Sequence, residues 1–259
     1  MDELLASAIA AARLARGIHL YYQEKGFAVY TKSGPTDLVT QADRDTETAV
    51  KEFLLGRYPE HAFLGEEGGQ DSESEHRWIV DPLDGTVNFA HRFPFFAVSI
   101  ALEVRGELAL GVVLDSTRDE LFWAVRDKGA FLNGRPLRVS ETDTLTGSLL
   151  ATGFPYDVNK DPENLTYFER ALSQGLTVRR PGAAALDLCY VAAGRIDGFW
   201  EVKLKPWDVA AGIVIIREAG GLVTDLQGKP YVLGQRYIVA SNGRIHEAMM
   251  AALFKDNSG

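Results

Sequence analysis

The chain has 259 residues, 46% of them hydrophobic and 24% charged, a composition typical of globular proteins and not of disordered or fibrous ones. Its 27 lysines and arginines and 36 acidic residues give a formal net charge of −9, which argues against a general nucleic-acid binder, because such proteins carry a basic face. The apolar runs fall far short of the ~20 residues that cross a bilayer, and the single Cys189 cannot form an internal disulfide, so we expect a cytoplasmic protein without a membrane segment.

The first half of the chain predicts helices followed by strands, because its apolar residues change from helical spacing to short continuous runs. The expected elements are a helix over residues 2–25, an exposed loop over 31–37, a helix over 42–57, short apolar segments over 62–81 broken by a polar, acidic loop at 68–77, and an antiparallel meander over 95–135. Asn133-Gly134 is a strong hairpin-turn dipeptide within that meander.

The second half alternates strands and helices. The expected elements are strands over 148–152, 176–179, 196–202, 221–225 and 236–240, and helices over 162–174, 183–193, 207–219 and 243–254. Consecutive strands in the first half, followed by alternating strands and helices in the second, predict layered sheets and helices. The N-terminal part is expected to be α+β and the C-terminal part α/β. We expect two lobes with a boundary near residue 140, an N-terminal α+β lobe over 1–140 that carries the metal-binding motifs and a C-terminal α/β lobe over 141–259 that completes the active site.

The densest chemical signal is the segment from Trp78 to Phe89, where an apolar strand ends at Asp81 and Asp84 follows closely. Two carboxylates this close repel each other unless a cation lies between them, and ligands that are all oxygen suit Mg²⁺. Gly85-Thr86 at a helix start would present backbone N–H groups to phosphate. A bare Asp-x-x-Asp would favour a simple capped turn, but the attached proline, glycine and threonine favour the metal site.

Three other acidic positions strengthen this interpretation. Glu66 and Glu67 follow an apolar strand, Asp208 opens an apolar helix, and Asp43 lies near the start of the second helix. Taken alone, each favours a structural explanation: a solvated loop, a helix cap or a helix-start acid. Taken together, they indicate one acidic site.

The combination resembles the inositol monophosphatase family, part of the lithium-sensitive, magnesium-dependent phosphatase superfamily that includes fructose-1,6-bisphosphatases. Residues 78–91 resemble the first family signature and residues 207–221 the second, and the likeness spans roughly residues 5–250. It implies an αβαβα sandwich and a homodimer, for which the aromatic-rich stretch from Phe89 to Phe96 is a candidate apolar surface.

The resemblance also implies a site with two to three Mg²⁺ ions and a role for each matching residue. The implied metal ligands are Glu66, Asp81, the carbonyl of Leu83, Asp84 and Asp208. The implied catalytic residues are Glu66 and Thr86, which orient a water on the first metal, and Asp43, hydrogen-bonded to Thr86. The implied substrate-binding residues are Asp84, Gly85, Thr86, Gly182, Ala184 and Glu201. Lys32 falls in the loop that closes over the metals in relatives.

The leading hypothesis is therefore hydrolysis of a cyclitol or sugar phosphate, with myo-inositol 1-phosphate as the first candidate substrate. Lys205, where animal members differ, leaves sugar bisphosphates such as fructose 1,6-bisphosphate open, although a solvated lysine explains it equally well. A haloacid-dehalogenase-type phosphatase is rejected, because its Asp-x-Asp-Gly-Thr motif is one residue shorter than the motif here. An additional regulatory role in transcription or RNA processing, as in some bacterial relatives, stays open.

Overall fold

A computed structural model describes residues 1–32, 34, 37–70 and 73–255. Within these ranges the helices are α1 (Asp2–Lys25), α2 (Gln41–Arg57), α3 (Thr86–Ala90), α4 (Glu163–Ser173), α5 (Ala184–Ala192), α6 (Pro206–Glu218) and α7 (His246–Leu253). The strands are β1 (Val29–Thr31), β2 (Leu38–Thr40), β3 (Ala62–Gly65), β4 (Gly69–Gln70), β5 (His76–Asp84), β6 (Ala97–Val104), β7 (Glu107–Asp115), β8 (Glu120–Val125), β9 (Ala130–Leu132), β10 (Arg135–Pro136), β11 (Leu149–Thr152), β12 (Thr177–Arg179), β13 (Gly198–Val202), β14 (Leu222–Thr224) and β15 (Tyr237–Ser241).

The first large sheet has the strand order β10-β9-β8-β7-β6-β5-β3-β4. All neighbours in it are antiparallel except β3 and β5, which run parallel, with Gly65 opposite Val80. Because parallel strands end at the same edge of a sheet, this pairing brings the residues that follow Gly65 and Val80 side by side. Those residues are Glu66 and Asp81.

The second sheet has the order β12-β11-β13-β15-β14 and mixes parallel and antiparallel pairs. Helices α5 and α6 lie between the two sheets and share one apolar core with both. Helices α1 and α2 cover the outer face of the first sheet, and α4 and α7 cover the outer face of the second. The predicted αβαβα sandwich is therefore confirmed.

Alternation along β5 shows why this strand is buried on both faces. Trp78 and Val80 belong to the core under α1 and α2, whereas Ile79 belongs to the core that contains α5 and α6. Successive side chains of a strand point to opposite faces, so an uninterrupted apolar run is what a strand between two helical layers requires. Helices α5 and α6, which belong to the second half of the chain, pack directly on strands of the first sheet. The division into two lobes at residue 140 stays a prediction.

The predicted elements of the second half are all present, with ends within three residues of the expected ones. The hairpin turn at Asn133-Gly134 is also present, and both residues have positive φ, 49° and 78°. Two sequence expectations were incomplete in the first half. The polar stretch at 31–37 is flanked by the unpredicted pair β1 and β2, and its residues 33, 35 and 36 lie outside the described residues.

The acidic loop expected at 68–77 is shorter than predicted, because β4 pairs with β3 and β5 already begins at His76. Residues 71 and 72 of that loop are not among those described. The aromatic-rich stretch from Phe89 to Phe96, expected as an apolar surface, is largely buried. Phe89, Phe95 and Phe96 are buried, and Phe93 is the one exposed phenylalanine of this stretch. Of the described helices, none combines the length and the apolarity that crossing a membrane requires.

Candidate active site

Four acidic side chains lie near enough to influence one another electrostatically where β3, β5 and α6 begin or end. Burial raises the pKa of Asp81 well above its usual value, and the carboxylates of Glu66, Asp84 and Asp208 raise it further. Asp208, in the first turn of α6, also has a strongly raised pKa for the same reasons. Carboxylates that raise one another's pKa form a site with surplus negative charge, and a cation is the usual way to balance it.

The end of β5 carries a bulge: Asp81 pairs with Ser99 and Asp84 with Ala97, and Pro82 and Leu83 lie unpaired between them. The pairing with β6 shifts register between Asp81 and Asp84, and Pro82 has no N–H to donate to the ladder. The side chain of Asp81 accepts the N–H of Leu83 at 2.9 Å, which closes a local turn. Gly85 then turns the chain with φ 87°, and a Cβ there would lie 2.9 Å from the carbonyl oxygen of Phe95.

Asp84 connects this turn to the second sheet's helices. Its carboxylate accepts the N–H groups of Ala184 at 3.1 Å and Ala185 at 2.8 Å, at the N-terminus of α5. Burial raises the pKa of Asp84 to about 7, although these N–H groups lower it. The contact brings the two residues on the predicted substrate side, Gly182 and Ala184, next to the first signature.

Thr86 and Asp43 are hydrogen-bonded, with 2.9 Å between Thr86 Oγ1 and Asp43 Oδ1. Thr86 Oγ1 also lies 3.0 Å from the carbonyl oxygen of Leu83. The second oxygen of Asp43 accepts both the N–H and the hydroxyl of Thr40, in a capping box at the start of α2. Asp43 is fully buried, and that burial raises its pKa. Its two oxygens are thus committed to Thr86 and to the helix start.

Glu66 is held by a lysine from the loop after β1. The ammonium of Lys32 lies 2.8 Å from Glu66 Oε1 and also bonds Glu67. Burial raises the pKa of Glu66, and Lys32 opposes that shift. Lys32 is therefore the cation that balances part of the site's charge.

Glu201 lies on β13 at the substrate side of the site. It is 7% exposed, and burial together with Asp208 and Asp84 raises its pKa well above the usual value. Gly153 lies directly against its carboxylate, and a side chain there would clash with it. The candidate residues of both signatures thus belong to one neighbourhood with the substrate-binding candidates Gly182, Ala184 and Glu201.

The chemistry of these groups fits hard divalent cations, because carboxylate and carbonyl oxygens are their preferred ligands. As the side chains stand, no three acidic, histidine or cysteine side chains in the described ranges are close enough to hold one ion. Several of the carboxylates are occupied by other donors: Lys32 bonds Glu66, and the N–H of Lys205 bonds Asp208 at 2.6 Å. A carboxylate offers about four acceptor sites, so these bonds leave others for a cation, while the Lys32 ammonium competes with a cation for Glu66.

Several residues of this neighbourhood were not predicted from the sequence. Asp187 on α5 is buried beside Asp84 and Glu201, and within the described structure its Oδ1 has no hydrogen-bond partner. Its signal was a lone acid in an apolar helix. Glu47 and His19, which contact the backbone on either side of the site, carry no sequence signal of their own because their partners lie far away in sequence.

A groove of about 490 Å³ along α1, lined by Leu14, Tyr21 and Asp45 among others, contains none of the candidate residues. That groove therefore does not mark the candidate site, which is defined by the grouping of its charged side chains.

Comparisons with known proteins show what this chain is similar to. The family model described as "Inositol monophosphatase family" matches residues 1–258. The chain is 48% identical over 235 residues to "Inositol-1-monophosphatase" of Synechocystis sp., covering 89% of this chain and 79% of that protein. It is 42% identical over 255 residues to "Nus factor SuhB" of Escherichia coli (strain K12), covering 97% and 96%. The crystal structure of extragenic suppressor protein suhB from Bartonella henselae superposes with a TM-score of 0.92 at 42% identity, covering 98% of this chain and 99% of that one.

Proposed function

This chain belongs to the inositol monophosphatase family and is a phosphatase, and we propose from that premise that it hydrolyses a phosphate monoester of a cyclitol or sugar with Mg²⁺. The leading substrate is myo-inositol 1-phosphate, and the products are inositol and inorganic phosphate. The observation that carries the proposal is the group of buried carboxylates that raise one another's pKa next to Gly85 and Thr86. Members of this family are generally metal-dependent, which agrees with that surplus of negative charge.

In this proposal the chain holds two to three Mg²⁺ ions. Their ligands would be Glu66, Asp81, the carbonyl of Leu83, Asp84 and Asp208. When bound, the ions would lower the pKa of a coordinated water and offset the charge that develops on the leaving oxygen.

Thr86, Asp43 and Glu66 would prepare the attacking water. With Asp43 as the fixed acceptor of its hydroxyl proton, Thr86 keeps its oxygen lone pairs free to accept a hydrogen bond from that water. Glu66 would take the second position beside the water and accept its proton as attack proceeds. The water oxygen would then bond to phosphorus as the ester P–O bond breaks, the leaving alcohol oxygen would take a proton from solvent water, and Glu66 would release the proton it accepted back to solvent.

The other residues would bind the two halves of the substrate. The backbone N–H groups of Gly85 and Thr86 would face the phosphate at the start of α3. Asp84, Gly182, Ala184 and Glu201 would face the alcohol. A buried carboxylate such as Glu201 is a strong acceptor for hydroxyl groups, which favours an alcohol with several hydroxyls.

Phosphate release from a panel of esters tests this proposal. The panel contains inositol 1-phosphate, fructose 1,6-bisphosphate, 3′-phosphoadenosine 5′-phosphate and NADP, each with Mg²⁺ and with EDTA. We expect Mg²⁺-dependent release that is fastest from inositol 1-phosphate, and a higher KM for it in Glu201→Gln than in the exposed control Glu107→Gln. Phosphate release in EDTA equal to that with Mg²⁺ would refute the metal role. Fastest release from fructose 1,6-bisphosphate would refute inositol 1-phosphate as the leading substrate and favour the bisphosphate.

We also propose a cytoplasmic homodimer, on the family resemblance and with exposed Phe93 as a contact candidate. Light scattering at micromolar concentration should give twice the chain mass, and a monomeric mass would refute the dimer.

A second role beside catalysis is favoured by the 42% identity to relatives named Nus factor SuhB. The test is a pulldown from host lysate with wild type and with Asp81→Asn. Recovery of transcription proteins by both would support a role independent of turnover, and recovery by neither would count against it.

A further inference from the structure

We propose that Glu47 is a positioning residue that fixes the backbone carrying Glu66. Glu47 lies on α2, one turn after Asp43, and is only 6% exposed. Its Oε2 accepts the N–H of Glu67 at 2.8 Å, and its Oε1 accepts the N–H of Gly68 at 2.6 Å. One buried carboxylate thus holds two consecutive N–H groups of the segment that follows β3.

The glycines on either side of the glutamate pair make room for this contact. A Cβ at Gly65 would clash with the Glu47 carboxylate, and a Cβ at Gly68 would lie 3.0 Å from its Oε1. Neither glycine has positive φ, so the backbone conformation does not demand glycine at these positions. The close approach of Glu47 explains why Gly-Glu-Glu-Gly occurs here.

The consequence for Glu66 is that its backbone is fixed on both sides. Before it, Gly65 pairs with Val80 in the sheet, and after it the N–H of Glu67 is bound by Glu47. Glu66 therefore leaves the chain between two fixed points, beside Asp81. Because Asp43 on the same helix bonds Thr86, α2 aligns both groups that the proposed mechanism places around the attacking water.

The inference rests on the proposed function, since it gives Glu47 its role through Glu66. The main variant is Glu47→Gln, which keeps one acceptor but turns an NH₂ group towards the other N–H. Its matched control is Glu52→Gln, an exposed glutamate on the same helix. Measurements are Mn²⁺ binding by electron paramagnetic resonance, melting temperature, kcat and KM. Glu66→Gln is measured alongside.

We expect Glu47→Gln to lower Mn²⁺ affinity and kcat by about 10–100-fold, the usual effect of losing a group that orients a metal ligand, with KM little changed. Glu52→Gln should match wild type in every measurement. Wild-type Mn²⁺ affinity and kcat in Glu47→Gln, while Glu66→Gln is inactive, would overturn the inference alone. Wild-type kcat in Glu66→Gln would instead overturn the proposed function.

The glycines provide a second test that does not depend on how well Glu47→Gln folds. Gly68→Ala should lower kcat by about tenfold in the wild-type chain, because its Cβ presses on the Glu47 carboxylate, and by less than about twofold in Glu47→Ala, where that carboxylate is gone. Equal effects of Gly68→Ala in both backgrounds, or no effect in wild type, would show that Glu47 and Gly68 do not act as a unit and would overturn the inference.

Discussion

His19 makes the stability of this protein depend on pH in a way that one substitution can isolate. It is fully buried on α1, with Nε2 2.9 Å from the carbonyl oxygen of Pro82 and Nδ1 2.8 Å from Ser116 Oγ. Since a carbonyl only accepts, Nε2 carries the proton, and Nδ1 accepts from the serine hydroxyl. The ring is neutral, and burial lowers its pKa from 6.5 to about 4.

The size of the effect follows from that difference in pKa. The unfolded chain binds a proton at His19 below about pH 6.5, and the folded chain does so only below about 4. Between these values the unfolded state holds more protons, so lowering the pH reduces the free energy of unfolding. The shift of 6.5 − 4 = 2.5 in pKa, at 1.36 kcal/mol for each unit, corresponds to about 3 kcal/mol.

Urea unfolding of wild type and His19→Gln at pH 7.5 and pH 4 measures the contribution of His19 to the pH dependence of the free energy of unfolding. Every other group titrates in both proteins, so its contribution cancels in the difference between them. Glutamine can still donate to Pro82, and the variant should be less stable at pH 7.5. Its deficit relative to wild type should shrink by about 3 kcal/mol at pH 4. The control His91→Gln, on the surface, should show no such change. A His19→Gln deficit that is the same at both pH values would refute the neutral, buried imidazole.

Three other outcomes are expected. Asp81→Asn should abolish turnover. In calorimetry it should nevertheless raise the melting temperature of the metal-free protein by about 2–4 °C, because it removes one of several carboxylates that repel one another. The exposed control Asp143→Asn should change neither turnover nor melting temperature. Lithium should inhibit phosphate release at limiting Mg²⁺, and full activity in molar lithium would contradict this. Single turnover in ¹⁸O-water should place label in phosphate and none in protein, whereas label in Asp81 or Asp84 would indicate a phosphorylated aspartate.

Elements with a strong apolar pattern could be predicted from the sequence. The helical spacing up to Lys25 gave α1 its observed ends. The apolar run before Asp81 predicted β5, although the strand continues to Asp84, three residues past its expected end. The pair β1 and β2 could not be predicted, because all three residues of β1 are exposed and show no alternation. Pairing with a partner several residues away, and not local preference, forms such strands.

The candidate site likewise contains residues that could be predicted from the sequence and contacts that could not. Acidic residues at strand and helix ends are visible in the sequence, since their motifs are local. The contacts that hold them are not: Glu47 reaches Glu67 from 20 residues away, and Lys32, which only the family resemblance placed near the metals, reaches Glu66 from 34. Such contacts depend on the parallel pairing of β3 with β5 and on α2 crossing above it, which no short segment encodes.

The arrangement of N–H donors explains how this chain tolerates so much buried negative charge. Asp84 is bonded by the start of α5, Asp208 by the N–H of Lys205, and Glu47 by the turn after Glu66. Backbone N–H groups stabilise a carboxylate without adding a side chain that would compete with a cation for the remaining oxygen lone pairs. Because α5 packs between the two sheets, the donor to Asp84 is in place only when both sheets are assembled. The site is therefore a property of the whole fold, and weakening the packing of α5 should impair the candidate metal site before it unfolds the first sheet.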